Sequence, residues 1–222
     1  MIYFSKDFFS FFEALEKNNN KDWFDIHRKE YEEHVKKPFE IFTKDLLENL
    51  LSFDSELNTE YKKCIFRINR DIRFSKDKSP YKLNRSAAFS KIAKKDVEHP
   101  GYYIDINPRR GMIAGGAWSP STEHLKKIRQ EIYYNLDEFN QIITEKEFVK
   151  QFGTVHGDKS VRLQEPFVDY AKESEWIKNK QFYFIAEFDP KKCLEPNFLN
   201  FLTEKFKAGY ALNQFLRRAM HD

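Results

Sequence analysis

GYYIDINPRRGMIAGGAW, residues 101–118, is the stretch on which the fold turns. GYYIDINP, residues 101–108, reads as a strand, and GMIAGGAW, residues 111–118, reads as another. A Pro-Arg-Arg-Gly turn joins them, so the two form an antiparallel hairpin. Within it, Gly115 and Gly116 offer no side chain, which marks a bulge or a place where ligand or backbone comes close.

Working outward, a hairpin alone is marginal in water, and the chain supplies further strands and covering helices. Upstream, LNRSAAFSKIA reads as a second strand. From Lys63 the period is two: Phe66, Ile68, Ile72 and Phe74 fall on one side, Arg67, Asn69, Asp71 and Arg73 on the other. That predicts a strand. It also puts Arg70 on the apolar side, where a guanidinium needs a carboxylate or carbonyl partner that the sequence does not identify.

The first fifty residues are helical by period. Ser5 caps a helix over 5–17 carrying Phe8, Phe11, Phe12 and Leu15, and the run Asn18, Asn19, Asn20 stops it. A second helix carries Trp23, Phe24, His27, Tyr31 and Val35, and Pro38 ends or kinks it. Phe39, Phe42, Leu46, Leu47 and Leu50 continue as a third. Downstream, Ser119 and Pro120 open a helix near 121–143, a helix or loop spans 145–152, and a helical patch lies around 166–178. QFYFIAEF, residues 181–188, is a strand, and 196–220 a closing amphipathic helix. The expected fold class is α+β: an antiparallel or mixed sheet from strands within 63–118 and 181–188, with N- and C-terminal helices covering one face.

A chain of 222 residues with 41% hydrophobic and 33% charged content, including 23 Phe and 11 Tyr, is expected to form a single domain over 1–222. Two cysteines, Cys64 and Cys193, are too few for a disulfide scaffold and form no Cys-x-x-Cys pair. MIYFSKDFFSFFEALEK lacks the marks of a signal peptide, and no apolar run approaches membrane-spanning length. The expected location is cytoplasmic, with no membrane partner.

Charge is where the sequence is most specific. Arg67, Arg70, Arg73, Lys76, Lys78 and Lys82 stand against Asp71 and Asp77, a local excess that exceeds the whole chain's net charge of +3. A localised excess points to a discrete anion site, a global one to general polyanion affinity. Ser75, Ser79 and Tyr81 add donors, so the stretch offers a phosphate-like environment. The competing reading is that Asp71 and Asp77 neutralise their neighbours, Tyr81 packs on the core and the lysines are solvated.

FRINRDIRFSKDKSPYK, then HPGYYIDINP, then GGAWSPSTEHLKKIRQEI, after an N-terminal NNNKDWFDIHRKEYE, resembles the family labelled domain of unknown function 2461. The resemblance runs from about residue 5 to about residue 190, with RDIRFSKDKSPYK its most specific part, and HGDKSVRLQEP fits it loosely. The family carries no assigned activity, substrate or cofactor, so the resemblance implies no catalytic role for any residue here.

Other candidates yield to bland accounts. The Ser-x-x-Lys spacings at Ser75–Lys78 and Ser79–Lys82 lack the accompanying motifs of serine acyltransferases. His27, Glu30 and His34 share a stripe with Trp23 and Tyr31 that reads as packing, and no metal site is expected. His99, entering the hairpin beside the glycines, is the better placed histidine for proton transfer, against the bland reading of an imidazole satisfied by its loop, and Trp118 either stacks on a ligand or caps the core. The functional expectation is a pocket for a phosphate- or carboxylate-bearing small ligand, formed by Arg67, Arg70, Arg73, Lys76, Lys78, Tyr81, Lys82, Gly115, Gly116 and Trp118. The alternative is a non-catalytic module that docks an acidic protein surface or nucleic acid.

Overall fold

A computed structural model describes residues 1–58 and 60–220. Four strands form one sheet: β1 (Arg85–Phe89), β2 (Gly101–Ile106), β3 (Gly111–Ala117) and β4 (Phe182–Phe188). They lie in sequence order and every neighbouring pair is antiparallel. The register sets two faces. Ala87, Ile104 and Ile113 share one row, with Phe89, Tyr102, Gly115 and Phe184 in the next, and all of these residues are buried. Between them runs the row Ala88, Tyr103, Ala114 and Ile185, which faces the other way and is only half-buried.

The N-terminal helices follow their periodicity. In α1 (Lys6–Lys17) Phe8, Phe11, Phe12 and Leu15 are buried, and Ser5 accepts from the Asp7 amide as N-cap. Asn20 caps α2 (Lys21–Ile26) by accepting from Trp23 N at 2.9 Å. The chain then passes through a single turn, α3 (Arg28–Glu30), into a π-helix over Tyr31–Lys36 and on into α4 (Lys37–Leu51). Pro38 therefore does not end the helix. It lies in the first turn of α4, directly after the π turn where the helix changes type.

The strand expected from Lys63 is not formed. Residues Tyr61–Cys64 make a short helical turn, α5, and among the described residues the chain beyond pairs with a strand's backbone only at an isolated bridge from Ile65 to Ala87. Phe74, assigned by alternation to the apolar side, is 95% exposed. Alternation held as far as Ile68, which is buried. Beyond it the chain has no sheet neighbour to pair with and leaves the surface.

Two long helices expected downstream are each broken once. The first is α6 (Thr122–Tyr134) and α7 (Leu136–Ile143), divided at Asn135, whose backbone is non-helical and whose Nδ2 donates to Glu131 Oε1 at 3.1 Å. The segment 145–152 is helical, α8 (Lys146–Phe152), and the patch near 166–178 is α9 (Phe167–Glu173) followed by a 3₁₀ turn. The closing helix is α10 (Phe198–Ala208) and α11 (Tyr210–Met220), divided at Gly209. A Cβ at Gly209 would sit 2.2 Å from the Phe184 ring, so the break is where the helix pair presses against β4.

The buried side chains form one cluster between the covered face of the sheet and helices that include α4 on β1, α8 on β4 and α11 on β3. A polar brace runs through it. Arg217 on α11 donates from Nη1 to Asp54 Oδ1 at 2.7 Å and from Nη2 to Oδ2, while Tyr102 OH donates to Asp54 Oδ2 at 2.9 Å. Asp54 is 1% exposed, and two cationic or hydroxylic donors together satisfy its charge. Among the described residues no helix is long and apolar enough to cross a membrane.

Candidate functional site

The basic stretch folds into a loop whose stem is closed by backbone bonds. Lys82 N donates to Ile68 O at 2.8 Å and Arg70 N to Pro80 O at 2.8 Å, with a bridge between Asn69 and Tyr81. Beyond this stem the tip carries its own counter-ions. Arg73 binds Asp71 through two bonds, Nε to Oδ1 at 2.9 Å and Nη2 to Oδ2 at 2.7 Å. Arg70 pairs with Asp77, whose side chain is 61% exposed and not the buried partner expected of an apolar strand face, and reaches Ser75 Oγ at 3.4 Å. Lys78 Nζ donates to Ile72 O at 2.9 Å. The bonds from Arg73 hold the Asp71 carboxyl down at about 2, and those from Ser79 and Arg70 hold Asp77 well below the usual carboxylate range. The Arg73 side chain is 75% exposed, and Lys76 is exposed as well.

At the foot of the loop the charge has a different character. A groove of about 530 Å³ lies between the π-helix and residues 62–69, lined by six cationic side chains, Arg28, Lys36, Lys62, Arg67, Arg85 and Lys94, against Glu32 and Glu40. Tyr31, Glu32 and Lys36 enter it from the π-helix, a rare geometry that recurs at functional sites. Tyr81 forms part of the wall, its ring stacked on Phe24 at 4.0 Å and its backbone clamped by Asn19, which accepts from Tyr81 N at 3.1 Å and donates to its carbonyl at 2.9 Å. The ammonium of Lys82 stands 5.3 Å over the Phe66 ring. Burial and the neighbouring Arg85 and Arg67 push its pKa down.

Arg85 is the exceptional member. It opens β1, and alternation with Ala87 and Phe89 turns it toward the covered face, leaving it 4% exposed. Its Nη1 donates to Phe66 O at 3.0 Å and its guanidinium lies 5.1 Å over the Phe39 ring. Nε is buried with no hydrogen-bond partner, and among the described residues no carboxylate pairs with it. Burial lowers its pKa against the smaller opposing pull of Tyr31 and Glu40. Arg129, also buried, differs in having two acceptors on one nitrogen, Ser160 Oγ at 2.8 Å and Asn179 O at 3.0 Å.

The remaining sequence-predicted residues lie on the half-open face of the sheet, around a second cavity of about 520 Å³. Gly115 and Gly116 are glycines for the protein's own sake. A Cβ at Gly115 would meet the Phe184 ring at 2.3 Å, and Gly116 has φ of +107° with Phe182 O 2.2 Å from where a Cβ would be. Trp118 does not cap the core: it is 61% exposed at the cavity edge, edge-on to Tyr183 at 4.9 Å. His99 lines the same cavity, its Nδ1 3.0 Å from Asp96 Oδ1. Asp96 also accepts from His99 N at 2.9 Å. A carboxylate only accepts, so Nδ1 carries a proton, and in the neutral imidazole Nε2 is the acceptor. His27, by contrast, is stacked on Trp23 at 4.0 Å with Nδ1 on the Trp23 carbonyl.

The structure thus gathers Arg67 and Tyr81 at the groove, and Gly115, Gly116 and Trp118 at the cavity. Arg70, Arg73, Lys76 and Lys78 stay on the loop outside both. Sequence reasoning missed Arg85, Lys62, Lys94 and the π-helix. For Arg85 a signal existed, because RSAAF places an arginine in alternation with Ala87 and Phe89.

These features define an α+β protein with a four-stranded antiparallel meander and a cation-lined groove beside its first strand. The chain belongs to the family described as conserved hypothetical protein (DUF2461), which matches residues 7–215. No curated protein and no solved structure matches the chain.

Proposed function

We propose that the groove binds the phosphate or carboxylate group of a small ligand, with Arg85 as its anchor. One observation carries the reading: a guanidinium 4% exposed, with a single carbonyl acceptor and no carboxylate among the described residues, in the wall of a cavity. Removing a charge from water costs several kcal/mol, and the protein's own groups offset little of that here. An oxyanion at the unpartnered side of the fork would, in a charge-assisted contact. Arg67, Lys62 and Lys94 along the same wall raise the local positive potential, and a groove of this volume suits a small molecule. A polyanion such as nucleic acid calls for a broad basic track, whereas the loop tip spends its arginines on Asp71 and Asp77.

The test is ligand-dependent stabilisation. Inorganic phosphate, acetate and sugar phosphates are added to the wild type and to Arg85→Met, and melting is followed. At a hundred times its dissociation constant a ligand adds about 2.7 kcal/mol of stability. The wild type should show the rise and Arg85→Met should not. Equal responses of the two proteins, or none from either, would refute the reading.

A further inference from the structure

Phe66 and Lys94 line both the basic groove and the cavity on the sheet's half-open face, so the two spaces meet at that pair. The cavity beyond them is aromatic and small-floored. Phe66, Tyr103, Trp118 and Tyr183 supply rings, while Ala88 and Ala114 flank Tyr103 in one cross-strand row and leave a flat surface on either side of it. Flat slots between rings suit a planar group better than a flexible chain.

The cavity also has polar groups in its lining, Ser90, Lys94, Asp96 and His99 among them. His99 is held through Nδ1 by Asp96, whose side chain is 2% exposed, and its Nε2 has no partner among the described residues. Lys94 follows Ala93, which has φ of +58° and is the one non-glycine residue with left-handed backbone among those described. Such strain persists where surrounding structure over-determines it and is frequent at ligand sites. Here the turn is fixed by Ser90 Oγ, which donates to Ala93 O at 2.9 Å, and it sets Lys94 at the junction.

We propose that this cavity takes a planar aromatic body belonging to the same anion, so that the ligand is an aromatic phosphate or carboxylate lying across Phe66 and Lys94, with His99 Nε2 accepting from a donor on the ring. The inference rests on the anion reading of the groove and adds the class of molecule attached to the anion.

Phenyl phosphate, methyl phosphate and inorganic phosphate are titrated calorimetrically into the wild type, Trp118→Ala and Ala114→Phe. Phenyl phosphate should bind about ten-fold more tightly than methyl phosphate, the difference expected of one well-placed ring. Trp118→Ala, an exposed position, should erase that advantage and leave inorganic phosphate binding unchanged. Ala114→Phe, which fills the cavity, should do the same, and the Trp118 variant decides alone if the other fails to fold. Equal affinities for phenyl and methyl phosphate would overturn the aromatic subsite while the groove reading stands. No binding of any probe would overturn both. Phenyl phosphate binding that survives Trp118→Ala undiminished would also refute the subsite.

Discussion

Arg85 Nη1 donates to the carbonyl of Phe66 at 3.0 Å, the one hydrogen bond this guanidinium makes among the described residues. The relationship joins the first residue of β1 to the segment that leads into the basic loop, at the point where groove and cavity meet. A buried cation held by one neutral acceptor is poorly compensated, and the account of this protein follows from that deficit.

The loop arginines should be dispensable. Arg73 is chelated by Asp71 and largely in solvent, so Arg73→Ala is expected to leave the melting temperature and phosphate affinity unchanged. A marked loss of phosphate binding in this variant, measured by calorimetry, would move the site back to the loop tip.

Lys82 should give stability a definite pH dependence. Burial, Arg85 and Arg67 lower its pKa from 10.5. Below the lowered value Lys82 is charged in both folded and unfolded chains, and its cost to the fold is fully present. As pH rises from there toward 10.5, the unfolded chain keeps a proton that the folded chain has released, so stability rises. Urea midpoints across that alkaline interval should climb more in the wild type than in Lys82→Met. Parallel curves for the two proteins would contradict this.

Both thiols should be silent in the native state. Burial pushes Cys64 up to about 12 and raises Cys193 as well, and both are free and buried. A disulfide-type thiol reagent at pH 8 should react with neither until urea is added, and then with both. Rapid modification of either in the folded protein would show that the packing is wrong there.

The Arg217–Asp54 brace should be expensive to break on one side. Asp54→Ala leaves the 5%-exposed Arg217 guanidinium with the more exposed Glu56, 3.3 Å away, as its remaining carboxylate, and should cost about 3 kcal/mol in urea unfolding. Arg217→Met combined with Asp54→Leu should recover most of that loss. We propose that the chain is one domain, so each of these unfolds in a single transition. Two separated transitions would contradict that.

The elements that the sequence displayed most plainly are those whose side chains meet a regular neighbour. Phe8, Phe11, Phe12 and Leu15 mark α1, and the turn at 108–111 marks the hairpin, because local pattern and tertiary burial agree there. The segment around Phe74 misled because alternation describes a strand only where something pairs with it, and pairing is a property of the fold. The breaks at Asn135 and Gly209 were equally invisible: one is a local side-chain bond and the other a contact with Phe184 from a distant strand. At the site, the sequence located basic charge without its pairing. Asp71 and Asp77 lie within seven residues of the arginines they neutralise, while the cations around the groove come from residues 28 to 94. Convergence over that span is written in tertiary structure alone.

The most direct test of the central claim is a calorimetric titration of inorganic phosphate into the wild-type chain and into Arg85→Met. Saturable binding by the wild type and none by the variant is the predicted result. Unaltered binding by Arg85→Met, or no binding by the wild type, would mean that the buried guanidinium is not waiting for an anion.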